Sequence, residues 1–135
     1  MSMKKEIEKE LEYFISKLEN YYNINCVILF GSQARGDYLP YSDIDLIIIA
    51  DFKDEFFKRS LKLTLLNESR YNFELFCYTG EEFEMMFVKG NALIYDAIYE
   101  GKPLTGSHFF NKYNKRMNQM IQKGLSRSNC SWVLI

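Results

Sequence analysis

The sequence has almost no charge imbalance. Seventeen Lys and Arg against eighteen Asp and Glu leave a formal net charge of -1 in 135 residues. Without a global basic field the chain has nothing to draw in long nucleic acid, which counts against a processive polymerase and leaves small substrates or a protein partner. Cysteine is scarce. Cys26, Cys77 and Cys130 are odd in number, widely spaced and without a C-x-x-C, so neither a disulfide frame nor a zinc site is expected. They read as reduced cytosolic thiols, the first two on buried strands. No apolar run reaches the ~18 residues that a membrane-spanning helix needs. The opening M-S-M-K-K-E-I-E-K-E lacks the profile of a signal peptide, so a cytoplasmic protein with no membrane partner is expected. Histidine occurs once, as His108 in a polar stretch, where a solvated or capping role outweighs a catalytic one.

What is present is an ordinary globular composition, 47% apolar and 26% charged. The length suits a single domain over residues 1–135, with a core at about 5–104, a C-terminal helix at about 107–123 and a tail at 126–135. Ile7, Leu11, Phe14, Ile15 and Leu18 recur at helical spacing and predict a helix over residues 3–21. A strand follows at 26–30, then one helical turn at 32–36, a loop at 37–42 broken by Pro40, and a strand at 43–49. A helix at 55–68 is expected to turn Phe57, Leu61, Leu65 and Leu66 inward. A third strand covers 71–78, and Thr79 with Glu82 forms a capping box for a short helix through Phe87. Asn91 caps a helix at 92–100 that Gly101 closes and Pro103 follows. The helix at 107–123 carries Phe109, Tyr113, Met117 and Ile121 at fourfold spacing; its Lys112, Lys115, Arg116 and Lys123 read as a solvated face. The order describes an α/β layer fold of the α+β type, a small mixed three-stranded sheet flanked by helices.

One stretch stands out. The strand Cys26–Phe30 runs into Gly31-Ser32, and ten residues later Asp43-Ile44-Asp45 opens the next apolar strand. Alternation along a strand puts Asp43 and Asp45 on one face. For Gly31-Ser32 and Asp43 to meet, the two strands must run antiparallel. Two carboxylates at ~4 Å repel by about 4 kcal/mol at an effective dielectric of about 20, so the pair calls for a proton or a cation. Hard oxygen ligands suit magnesium, which is commonly shared between carboxylates and substrate phosphates.

Each element also has a plain structural reading. Gly31 lets a phosphate approach the backbone, Ser32 caps the next turn, and Arg35 adds a fixed positive charge; all three also suit an ordinary strand-to-helix turn. Ser42 and Asp43 fit a turn leading into a strand, but Asp45, two residues in among isoleucines, needs a partner. Glu74 interrupts the apolar strand in the same way, or lies on the surface of an edge strand. Asp43, Asp45 and Glu74 together could hold two magnesium ions, with Glu74 as ligand or general base for an incoming hydroxyl.

Gly31-Ser32-Gln33-Ala34-Arg35-Gly36-Asp37 followed by Ser42-Asp43-Ile44-Asp45-Leu46 closely resembles the signature of the DNA polymerase β-like nucleotidyltransferases. More narrowly it is similar to the minimal nucleotidyltransferases of the MNT antitoxin family, over roughly residues 5–104. The resemblance implies the polymerase β-like fold, with Gly31, Ser32 and Arg35 binding nucleotide and Asp43, Asp45 and Glu74 as catalytic metal ligands. It also implies Mg2+, ATP as substrate, and a partner toxin with a HEPN domain whose tyrosine receives AMP. Adenylylation of a small hydroxylated molecule such as an aminoglycoside, or neutralisation of a toxin by binding alone, are the alternatives. Homo-oligomerisation is left open.

Overall fold

A computed structural model describes residues 5–36, 43–128 and 131–134. The expected loop at 37–42, with Pro40 and Ser42, lies outside the described residues, as does Cys130. The chain begins with α1 (Lys5–Glu19), whose buried stripe is Ile7, Leu11, Phe14, Ile15 and Leu18, as its spacing requires. Then come β1 (Ile24–Phe30), the short α2 (Ser32–Arg35), β2 (Ile44–Ala50), α3 (Phe56–Thr64) and β3 (Phe73–Tyr78). Next are α4 (Gly80–Val88), α5 (Ala92–Glu100), β4 (Lys102–Thr105), α6 (Ser107–Gln122), β5 (Leu125–Ser128) and β6 (Ser131–Leu134).

The main sheet runs β3-β2-β1-β4. β1 and β2 are antiparallel, with Ile28 opposite Ile47 and Phe30 opposite Asp45. β2 and β3 are parallel through the α3 crossover, which sets Asp45 beside Glu74. Both central strands are apolar on both sides because helices cover both faces. Val27, Leu29, Ile44, Leu46 and Ile48 pack against α1 and Leu63 of α3. Cys26, Ile28, Phe30, Ile47 and Ile49 pack against Phe83, Phe87, Ile94, Ile98, Tyr113 and Met117 of α4, α5 and α6. Burial pushes the thiols of Cys26 and Cys77 up to about 12, which makes them inert filling. The capping box at Thr79 and Glu82 is formed in both directions, and Asn91 Oδ1 accepts from the Ile94 N–H.

The expected three-stranded sheet is in fact four-stranded. β4 pairs antiparallel with β1, Leu29 opposite Lys102 and Ile28 opposite Pro103. Pro103 hid this strand, since a proline is admitted to a sheet at an edge, which is where β4 lies. The tail forms the hairpin β5–β6.

Helix α3 shows the largest departure. Phe57, Leu61 and Leu65 face outward, at 70%, 66% and 77% exposed, while Leu63 is buried and Leu66 packs only partly against the core. The helix is turned by Arg59, which is 6% exposed. Its guanidinium donates to Glu82 Oε1 at 2.6 Å, to the Cys77 carbonyl at 3.3 Å and to the Asp54 carbonyl at 3.1 Å. It also lies over the rings of Phe52 and Phe56, at 5.3 and 5.6 Å. Three acceptors and two rings outweigh the burial of a rival stripe on so short a helix. Arg116, read as part of a solvated face, instead grips Glu84 with two bonds at 2.6 and 3.1 Å.

Candidate active site

The site forms where β1 ends and β2 begins. Asp45 belongs to the row Asp45, Ile47, Ile49, whose other members lie in the core beneath α4, α5 and α6. Only at the strand mouth does that row emerge, so Asp45 is half-buried. Glu74 stands beside it on β3 and is exposed. The parallel register therefore turns Glu74 towards Asp45. Burial is the first reason the Asp45 carboxyl is pushed up to about 6, followed by the charge of Glu74, a hydrogen bond with Glu74 and the charge of Asp43. Arg35 pulls in the opposite direction.

Asp43 is exposed just ahead of β2. Its Oδ1 accepts from Asn72 Nδ2 at 2.8 Å, and the Ile44 N–H donates to the Asn72 carbonyl at 2.9 Å. Asn72 thus fastens the mouth of β2 to the start of β3. The sequence reading missed it, since only the parallel pairing brings it next to Asp43.

Gly31 has φ 75°, in the left-handed region, and a Cβ there would fall onto Asp45 Oδ2. The glycine expected to admit a phosphate is thus required first by the Asp45 carboxylate. Ser32 does not cap the turn, as it was expected to. Gly31 occupies the N-cap without a side-chain bond, and Ser32 is the first helical residue, half-buried. Arg35 donates to Glu100 Oε1 at 2.9 Å, a partner with no signal in the sequence. His108 is exposed on α6 and is not part of this cluster.

Asp45 and Glu74 stand side by side at one strand mouth with Asp43 just ahead of β2, and burial together with these neighbours raises the Asp45 carboxyl. Among the described residues no three His, Cys, Asp or Glu side chains converge closely enough to hold a metal ion as they stand. Asp43 is held by Asn72 instead. The donor chemistry still fits a hard divalent cation. Burial first, and then the like charges of Glu74 and Asp43, raise the Asp45 carboxyl, and a cation would favour its ionised form against both.

Residues 12–107 match the family described as polymerase beta, nucleotidyltransferase. The chain belongs to this nucleotidyltransferase family. A relative from Methanocaldococcus jannaschii, provisionally named a protein adenylyltransferase, is 48% identical over 46 residues, covering 33% of this chain and 46% of that protein. The match thus spans less than half of that relative's length. A toxin–antitoxin structure containing AMP-PNP aligns over 85% of this chain and 89% of its own, with a TM-score of 0.52 and 21% identity. A mutant of the toxin–antitoxin complex MntA–HpeT aligns over the same shares with a TM-score of 0.55 and 18% identity. At these identities the likeness is one of fold: a nucleotidyltransferase sheet with helices on both faces. No helix among the described residues is long and apolar enough to cross a membrane.

Proposed function

We propose that this nucleotidyltransferase is a magnesium-dependent protein adenylyltransferase. It transfers AMP from ATP to a hydroxyl, a tyrosine by the family resemblance, on a HEPN-domain toxin, and so acts as the antitoxin of that pair. One observation carries the reading: Asp45 and Glu74 sit side by side on adjacent strands, with Asp43 next to them and Gly31 packed against Asp45. Two further facts support it. Asp43 and Glu74 are both exposed, which suits an acceptor presented on another protein's surface. The relative matched at 48% identity bears the name of a protein adenylyltransferase.

In the proposed reaction Gly31, Ser32 and Arg35 hold the triphosphate while the acceptor oxygen attacks the α-phosphorus. The new oxygen–phosphorus bond forms as the bond to the pyrophosphate oxygen breaks, and pyrophosphate leaves with the electron pair. Glu74, exposed on β3, takes the acceptor's hydroxyl proton. Asp43, Asp45 and Glu74 would hold Mg2+, which when bound polarises the phosphoryl oxygens and offsets the charge of the leaving group. Asp45 must be ionised to serve, and a neighbouring cation favours that form.

The test is to combine the purified chain with the toxin encoded beside it, ATP and Mg2+, and to record intact masses. The expected result is an AMP-sized increase on the toxin, absent with Asp45→Ala and absent in EDTA. An unmodified toxin overturns the reading. Undiminished neutralisation by Asp45→Ala would identify an antitoxin that works by binding alone.

A further inference from the structure

The arginine of the proposed triphosphate turn is tied to the far end of the chain. Arg35 Nη1 donates to Glu100 Oε1 at 2.9 Å. The other oxygen of that carboxylate, Oε2, accepts from Arg127 Nη1 at 3.2 Å. Glu100 is the last residue of α5, and its side chain is only 12% exposed. Arg127 lies on β5, and its Nε is 3.5 Å from Asp96 Oδ1. That same Asp96 oxygen accepts from Trp132 Nε1 on β6 at 2.9 Å. The Trp132 ring meets Tyr99 and Tyr95 edge-on, at 5.1 and 6.0 Å. A ladder of bonds therefore runs from α2 across α5 to the hairpin β5–β6. The hairpin lies beyond residue 107, outside the segment that matches the family.

We propose that Glu100 and Arg127 are positioning residues for Arg35, so that the C-terminal hairpin sets the aim of the arginine that meets the triphosphate. This rests on the reading of Gly31 to Arg35 as the triphosphate turn. A carboxylate bonded through one oxygen can swing; bonded through both, it is fixed. Arg35 is half-exposed, and clamping an anion with a loose arginine loses rotamer freedom. Glu100 takes up that cost before the nucleotide arrives. Arg127 supplies a second positive charge to the same carboxylate, so Glu100 does not cancel the field of Arg35.

The experiment is calorimetric titration of the full chain with ATP and Mg2+, with a thermal melt of each variant. Wild-type chain that binds no ATP refutes the proposed function itself, and the ladder falls with it. Given wild-type binding, Arg35→Ala is expected to weaken it about tenfold, and Glu100→Gln or Arg127→Gln about three- to tenfold. In the transfer reaction both of these raise KM for ATP and leave kcat at saturating ATP within about twofold. Because Glu100 acts through Arg35, the double variant Arg35→Ala/Glu100→Gln binds no more weakly than Arg35→Ala. Additive losses in that cycle, or ATP binding by Glu100→Gln as tight as wild type or tighter, overturn the proposal. If Glu100→Gln fails to fold, the same cycle run with Arg127→Gln decides it.

Discussion

Arg59 and Asp45 are two charged side chains drawn in from solvent, the first buried and the second half-buried, and they are treated in opposite ways. Arg59 on α3 is surrounded by acceptors: the Glu82 carboxylate, two backbone carbonyls and two aromatic faces. Although burial pushes the Glu82 carboxyl up, its bonds with Arg59 and Thr79 bring it below the ordinary carboxylate range. Asp45 on β2 has company of its own sign, and burial with Glu74 and Asp43 holds its carboxyl at about 6. The first arrangement is satisfied and closes a packing problem. The second is crowded, and a proton or a cation relieves it. A buried charge with every bond filled belongs to the scaffold, whereas one crowded by its like marks the place where chemistry is to happen.

The sharpest way to break this contrast is to remove each charge in turn. Asp45→Ala should cut transfer by about a thousandfold or more while leaving the melting temperature unchanged or slightly raised, because it deletes repulsion along with function. A large loss of stability on that substitution would show Asp45 to be structural. Arg59→Met should do the reverse. Breaking a buried pair costs about 3–5 kcal/mol, and with Glu82 at 40% exposed the expected loss is about 2–3 kcal/mol by denaturant titration. Transfer by the folded fraction should stay near wild type.

A smaller effect comes from pH. The Asp45 carboxyl stands above its unfolded value, so the stability it contributes is complete below about pH 4 and is lost as pH rises through about 6. After allowing for its partial exposure, this amounts to about 1 kcal/mol. Glu82 has the opposite sign: its lowered carboxyl stabilises above the ordinary carboxylate range, and that stability is lost on acidification. Denaturant titrations between pH 4 and 7 without metal should therefore show wild type losing stability relative to Asp45→Asn, in which the carboxylates of lowered pKa are unchanged, and Mg2+ at pH 7 should restore the difference in wild type only.

The smallest effect tests how α3 is turned. Leu61→Gln, on the exposed stripe, should change stability by no more than about 0.5 kcal/mol. Leu63→Ala, on the buried side two residues on, should cost about 2–5 kcal/mol. Equal costs would mean that the helix is not held by Arg59 as described.

Much of the site could be read directly from the chain. Asp45 opens β2 opposite the end of β1, and Gly31 packs against it because the two strands are antiparallel. α1 and the Thr79 cap were equally legible, since both are written in spacings of three and four residues. β4 was not, because four residues with a proline carry no period of their own and are a strand only when β1 lies alongside. The face of α3 was misread for a related reason. Two stripes, 57-61-65 and 59-63, have helical spacing, and the apolar one looks the better core. What decides between them is Glu82 on α4, which has no periodic relation to α3.

The sequence alone determined the local part of this protein: the helices and the three strands β1, β2 and β3, and a glycine turn at the end of one strand with acidic residues at the start of the next. Those outcomes depend on neighbours a few residues apart, and backbone geometry sets their directions. The tertiary structure decided the rest. It brought Glu74 beside Asp45, Asn72 to Asp43, and Glu100 between Arg35 and Arg127. Each of these joins groups 27 to 65 residues apart. Only strand register and helix packing bring such groups together, and both are set by the burial of the whole core.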